Sequence, residues 1–241
     1  MASFIKLKNT PIKEIIFTIS FNENVPVEKL DIFTGLPQIK NTFPIVDKGF
    51  NTHLVAKPKE QPTSKTSIDS YILRSLKPLS KIIQARKGSF SFHKVNGYEH
   101  FEKLISELHE YWGLFVQCTG VLTVNNISVR YLNFIEKDKE EDFIDLVTIH
   151  TQHPFGKEIE SNFTQYRFKY DSIPTITANV ITAKGKDGLK EGIVLDIILN
   201  KKIEMIQNIE IIFSSFYDLR IAKNDLFFRS ITEKTINKYN Q

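Results

Sequence analysis

The sequence holds one cysteine, one tryptophan, two methionines, nine prolines and ten glycines in 241 residues, and each scarcity removes a class of protein. With Cys118 alone, no disulfide can close within the chain and no cysteine-built zinc cluster can form. A reducing, cytoplasmic setting is the expectation. No stretch reaches the roughly 18–20 apolar residues of a membrane-spanning helix, and Met1–Lys8 lacks the apolar run of a signal peptide. The most apolar segment, Ile206–Phe216, is broken by Gln207, Asn208 and Glu210, so it reads as a core helix. Charge of one sign is also missing: 32 Lys+Arg against 28 Asp+Glu leave +4, a weak attraction for polyanions.

Catalytic signatures are equally sparse. A serine hydrolase of the G-x-S-x-G kind is excluded by the absence of that motif. Cys118 lies near the end of an apolar helical stripe and reads as packed, not reactive. Lys184-Gly-Lys-Asp-Gly188 lacks the spacing and the following helix of a phosphate cradle, and reads as a hairpin turn. His150 and His153, with Asp142, Asp145 or Glu158 nearby, depart from the helical H-E-x-x-H spacing and read as solvent-facing. Neither a metal nor a cofactor is expected.

What is present is ordinary globular material, 41% hydrophobic and 25% charged. Ile15, Phe17, Ile19 and Phe21 alternate with polar neighbours, the period of a half-buried strand. A short helix follows near Val27–Phe33, and 57–67, rich in Lys, Pro, Ser and Thr, reads as an exposed loop. Segments 71–76, 81–85 and 90–95 read as strands, the last stopped by Asn96-Gly97. From Tyr98 the apolar period becomes helical, through Phe101, Leu104, Ile105, Leu108, Trp112, Phe115 and Val116. Segment 127–135 is a strand apolar on both faces. Strands at 164–170, 175–183 and 192–199 follow, then a helix from Met205 to Ala222. A last helix, capped by Asp225, holds Leu226–Ile236.

Strands joined by tight turns pair antiparallel, and a one-striped helix must cover a sheet face. The expected fold is therefore α+β: antiparallel sheets, each covered by a long amphipathic helix, in two similar lobes at 1–137 and 142–241 of a single domain 1–241. The repeated grammar raises an internal duplication.

Four stretches, Asn9-Thr10-Pro11-Ile12-Lys13-Glu14, Arg130-Tyr131-Leu132-Asn133-Phe134-Ile135, Val194-Leu195-Asp196-Ile197 and Phe228-Arg229-Ser230-Ile231-Thr232, resemble in order and spacing a sporadically distributed bacterial family of uncharacterised proteins of this length. The resemblance implies a single α+β unit carried by accessory or mobile genes, and through them toxin–antitoxin or antiphage modules. It supplies no catalytic residue.

Charges inside apolar strands carry the remaining signal, since an unpaired buried charge is costly. Arg130 or Arg167 is expected to satisfy Asp196 or Glu14 across the sheet. The same residues with Asn133 are the candidate ligand site, suited to a carboxylate or phosphate. Lys57, Lys59, Lys65, Arg86 and Lys87 near Tyr71, Phe90 and Phe92 suggest nucleic acid only thinly, because Phe90 and Phe92 alternate toward the core. The function expected is a non-catalytic, cytosolic binding or interaction protein whose partner is another protein, such as a neighbouring-gene product. Self-association is left open. The alternatives are a small-ligand or nucleotide-binding protein with its pocket at Arg130, and a nucleic-acid-binding protein.

Overall fold

The computed structural model describes residues 7–55, 63–76, 80–98, 100–149, 163–206 and 208–241. Its centre is β1 (Ile12–Ser20), where Ile15, Phe17 and Ile19 are fully buried on one side and Ile16, Thr18 and Ser20 are half-exposed on the other. The alternation seen in sequence is thus the boundary between a packed and an open face. After α1 (Val27–Gly35) and α2 (Pro37–Thr42), four strands form a meander: β2 (Ile45–Val55), β3 (Thr63–Arg74), β4 (Lys81–Arg86) and β5 (Ser89–Val95). The helix α3 (Phe101–Thr119) follows, its stripe buried and its end marked by Gly120 at φ 72°, a backbone that favours glycine. Then come β6 (Val124–Glu136), a 3₁₀ turn (Phe143–Asp145), β7 (Phe163–Lys169), β8 (Ile176–Asp187), β9 (Lys190–Ile206), α4 (Ile209–Ser230) and α5 (Glu233–Asn240).

Among the described residues the nine strands join one antiparallel sheet in the order β2-β3-β4-β5-β1-β6-β9-β8-β7. This corrects the expectation of two sheets, each with its own helix, in separate lobes. The reason is β6. It pairs with β1 along one edge and with β9 along the other, so no edge remains at which the sheet could split. The long helices share one core as well: the Phe17 ring lies 5.8 Å from Phe101 of α3 and 5.6 Å from Phe216 of α4. Beside them Phe21, Phe33, Phe90, Trp112 and Phe115 form an aromatic cluster, with Trp112 stacked on Phe115 at 5.6 Å.

Local boundaries also move. Residues 63–67, expected in a loop, continue β3 and pair with β2. Polar side chains hid this strand, because at a sheet edge neither face has to be apolar. Strand β6 is not apolar on both faces, since Arg130 is exposed on the open one. Residues 184–187 extend β8, and the turn falls at Gly188, φ 62°. Met205 lies in β9, which runs to Ile206, and α4 begins only after Asn208, whose side chain accepts from the backbone N–H of Glu210 at 2.8 Å. Asp225 is no cap: it lies inside α4, accepts from the Tyr170 hydroxyl at 3.1 Å and pairs with Arg229. The final helix is capped by Thr232. His150, His153 and Glu158 lie outside the described residues. Among the described residues no helix is long and apolar enough to cross a membrane.

Candidate functional site

Where α3 and α4 meet above the β1–β6 seam, they do not close completely. A cavity of about 810 Å³ opens there, within the size range of small-ligand sites. The start of α3 contributes His100, Phe101 and Glu102, with Tyr98 just before it. From its middle onward α4 supplies Tyr217, Arg220, Lys223, Asn224 and Phe227, the segment ahead of β1 brings Lys8 and Thr10, and β6 supplies Asn133.

Arg220 is fixed on two sides. Its guanidinium donates to the Glu102 carboxylate, which a backbone hydrogen bond and, after it, this contact hold below the usual range, and it lies 4.8 Å from the Phe101 ring. Phe101 in turn meets Tyr217 edge-on at 5.4 Å. The hydroxyl of Tyr131, buried beneath, has no hydrogen-bond partner among the described residues. Burial pushes that phenol well above 10, so it remains a neutral donor.

Lys223 is the unusual member. It is 8% exposed, and its ammonium lies 4.3 Å from the Tyr131 ring and 5.9 Å from that of Phe227. No carboxylate pairs with it among the described residues. Desolvation, with Arg220 adding repulsion, pulls its pKa down from 10.5 to about 7. Elsewhere lysines are paired: Lys201 meets Asp218 at 2.7 Å and Lys238 meets Glu141 at 3.0 Å. Among the described residues the lining thus carries Lys8, Arg220, Lys223 and His100 against the carboxylate of Glu102.

The sequence-derived candidates fall elsewhere. Arg130 does meet Asp196, with Nε 3.0 Å from both carboxylate oxygens and a terminal nitrogen 2.7 Å from Oδ2. Asp196 is buried and the arginine half-exposed. Glu14 is satisfied by His93, whose Nδ1 lies 2.8 Å from Oε1, and not by an arginine. Arg167 stands on the edge strand β7 opposite Asn179, two strands beyond Asp196. These residues share the open face: the register runs His93, Ile16, Arg130, Ile198, Asn179, Arg167 across six adjacent strands. Asn133 alone is on the helix side, where its amide donates to the carbonyls of Tyr131 and Leu195 at 3.2 and 3.0 Å. The cavity therefore contains one of the five candidates.

Sequence reasoning passed over Lys223 because a lysine in a helix is normally solvated. One signal was available. Phe216, Leu219, Lys223 and Leu226 follow each other at spacings of about three and four residues, which puts a charge in the apolar stripe of α4. The chain matches no protein-family model and no curated protein, so the cavity is read from its own chemistry.

Proposed function

We propose that this chain binds a small organic anion, an apolar body bearing a carboxylate or phosphate head, in the cavity between α3 and α4. The observation that carries the reading is Lys223: a cation taken from water without a counter-charge among the described residues, lining a cavity whose other charged groups are mostly basic. Burying such a group costs stability unless something compensates it, and an anionic head is the natural compensation. Tyr98, Phe101, Tyr217 and Phe227 would hold the apolar body.

Calorimetric titration with 4-methylbenzoate and phenyl phosphate tests this. Binding should take up protons near pH 7–8, visible as a dependence on buffer ionisation enthalpy, because the bound anion favours the charged form of Lys223. Lys223→Met should weaken it at least about tenfold, the scale of one lost charged contact. Absence of binding by either probe at millimolar concentration rejects the reading.

A second reading, a protein partner, is favoured by the edge strand β7. Tyr166 and Phe168 are 47% and 40% exposed on the face they share with buried Val180 and Ala178. An added strand would cover that apolar margin. A partner encoded alongside this chain, as in a toxin–antitoxin or antiphage module, is the proposed occupant. Its binding should be lost in a Tyr166→Lys, Phe168→Lys variant, and unchanged binding would remove β7 from consideration.

A further inference from the structure

We propose that the Lys223 amine is a nucleophile toward carbonyl compounds, so that an aldehyde or keto acid whose anionic head is held at Arg220, away from Nζ, becomes attached to Nζ as an imine. The inference rests on the anion-binding reading above and specifies the ligand class as a carbonyl-bearing anion.

The geometry meets three requirements of that chemistry. First, the nitrogen lone pair must be available. Lys13 is engaged by Asp187 at 2.7 Å and Lys190 by Glu136 at 2.7 Å, whereas among the described residues Nζ of Lys223 meets only the ring faces of Tyr131 and Phe227. Burial also leaves much of it as uncharged amine near neutrality. Second, water must be scarce where water is the product, and the side chain is packed between aromatic rings with 8% of its surface exposed. Third, the carbonyl needs orientation. Arg220, one turn earlier on α4 and fixed by Glu102 and Phe101, is a stationary cation for the distant acidic group.

The step is balanced without an added oxidant or reductant. The amine lone pair attacks the carbonyl carbon, the C=O π pair moves to oxygen, and a proton passes from nitrogen to that oxygen to give a carbinolamine. The hydroxyl then leaves as water with a second proton while the nitrogen lone pair forms the C=N bond. The groups that would bias this proton traffic are Arg220 on α4, His100 and Glu102 on α3, Tyr98 ahead of it, Lys8 before β1 and Tyr131 on β6.

The test treats the whole chain with 4-carboxybenzaldehyde and sodium cyanoborohydride at pH 7, followed by peptide mapping. Among 26 lysines, Lys223 should be modified at least about tenfold faster than the rest, as its larger uncharged fraction requires. Labelling of Lys223 should rise as pH increases to about 7 and then level off while the surface lysines continue to gain, so its preference falls at higher pH, and 4-methylbenzoate, which has the acid but no carbonyl, should protect. Labelling spread evenly over surface lysines while 4-methylbenzoate binds would overturn the imine and leave the anion site standing. Even labelling with no 4-methylbenzoate binding would overturn both. Selective labelling without such binding would keep the nucleophile and reject the anion-binding reading. The wild-type map alone decides, so the result does not depend on a variant that folds.

Discussion

The ammonium of Lys223 lies 4.3 Å above the ring of Tyr131, a fully buried residue of β6 whose hydroxyl is itself unpartnered among the described residues. Two polar groups that each lower the stability of the fold are thus stacked, Lys223 lining the cavity and Tyr131 buried beneath it. A core chosen for stability alone would place a methionine over a phenylalanine at these positions.

Replacing the cation should therefore stabilise the protein. The folded-state pKa of Lys223, about 7, lies below its ordinary 10.5. Between those values the unfolded chain binds a proton that the folded chain does not, so stability rises with pH across that window. Below about pH 7 both states are protonated and the penalty is complete. Lys223→Met should be about 1–4 kcal/mol more stable than wild type at pH 7 by urea unfolding. The gap should narrow toward pH 10.5, and a less stable variant would mean that the lysine is compensated in the fold.

The Arg130–Asp196 pair should behave as structure on the open face. Arg130→Ala strands a buried carboxylate, but the arginine side chain is 45% exposed and water can replace part of the contact. The expected loss is about 1–2 kcal/mol. A cycle with Asp196→Asn should show coupling, measured by chemical denaturation. Affinity for 4-methylbenzoate should not change, because the pair lies on the other face of the sheet. A large affinity loss in Arg130→Ala would relocate the site.

The stripe of α3 is core. Leu108 is fully buried and Trp112 is 2% exposed, so Leu108→Ala and Trp112→Ala should each cost about 3–5 kcal/mol in thermal or urea unfolding. Wild-type stability in either would mean that this face serves a partner.

Gly192 and Gly49 should separate sharply. A Cβ on Gly192 would stand 2.3 Å from the backbone oxygen of Ile135, on the neighbouring strand β6, and 2.8 Å from the Phe134 ring. A Cβ on Gly49 meets the Ser70 hydroxyl at 2.3 Å, a group that can rotate away. Gly192→Ala should cost upwards of about 2 kcal/mol, and Gly49→Ala clearly less, read from paired melting curves.

The periodicity of residues 12–21 and 98–116 determined a half-buried strand and an amphipathic helix, and both stand because their apolar faces are local properties of the chain. Likewise, apolar surroundings left Asp196 either to reach solvent or to find an opposite charge, and Arg130 provides that charge across one strand pair. Only the tertiary structure decided that β6 bonds to β1 and β9 together, since sheet edges are matched by residues far apart in sequence that carry no mutual signature. The cavity was invisible for the same reason: Lys8, Glu102, Asn133 and Lys223 come from four separate stretches of chain. A lysine becomes unusual only when the walls that exclude water from it have been assembled.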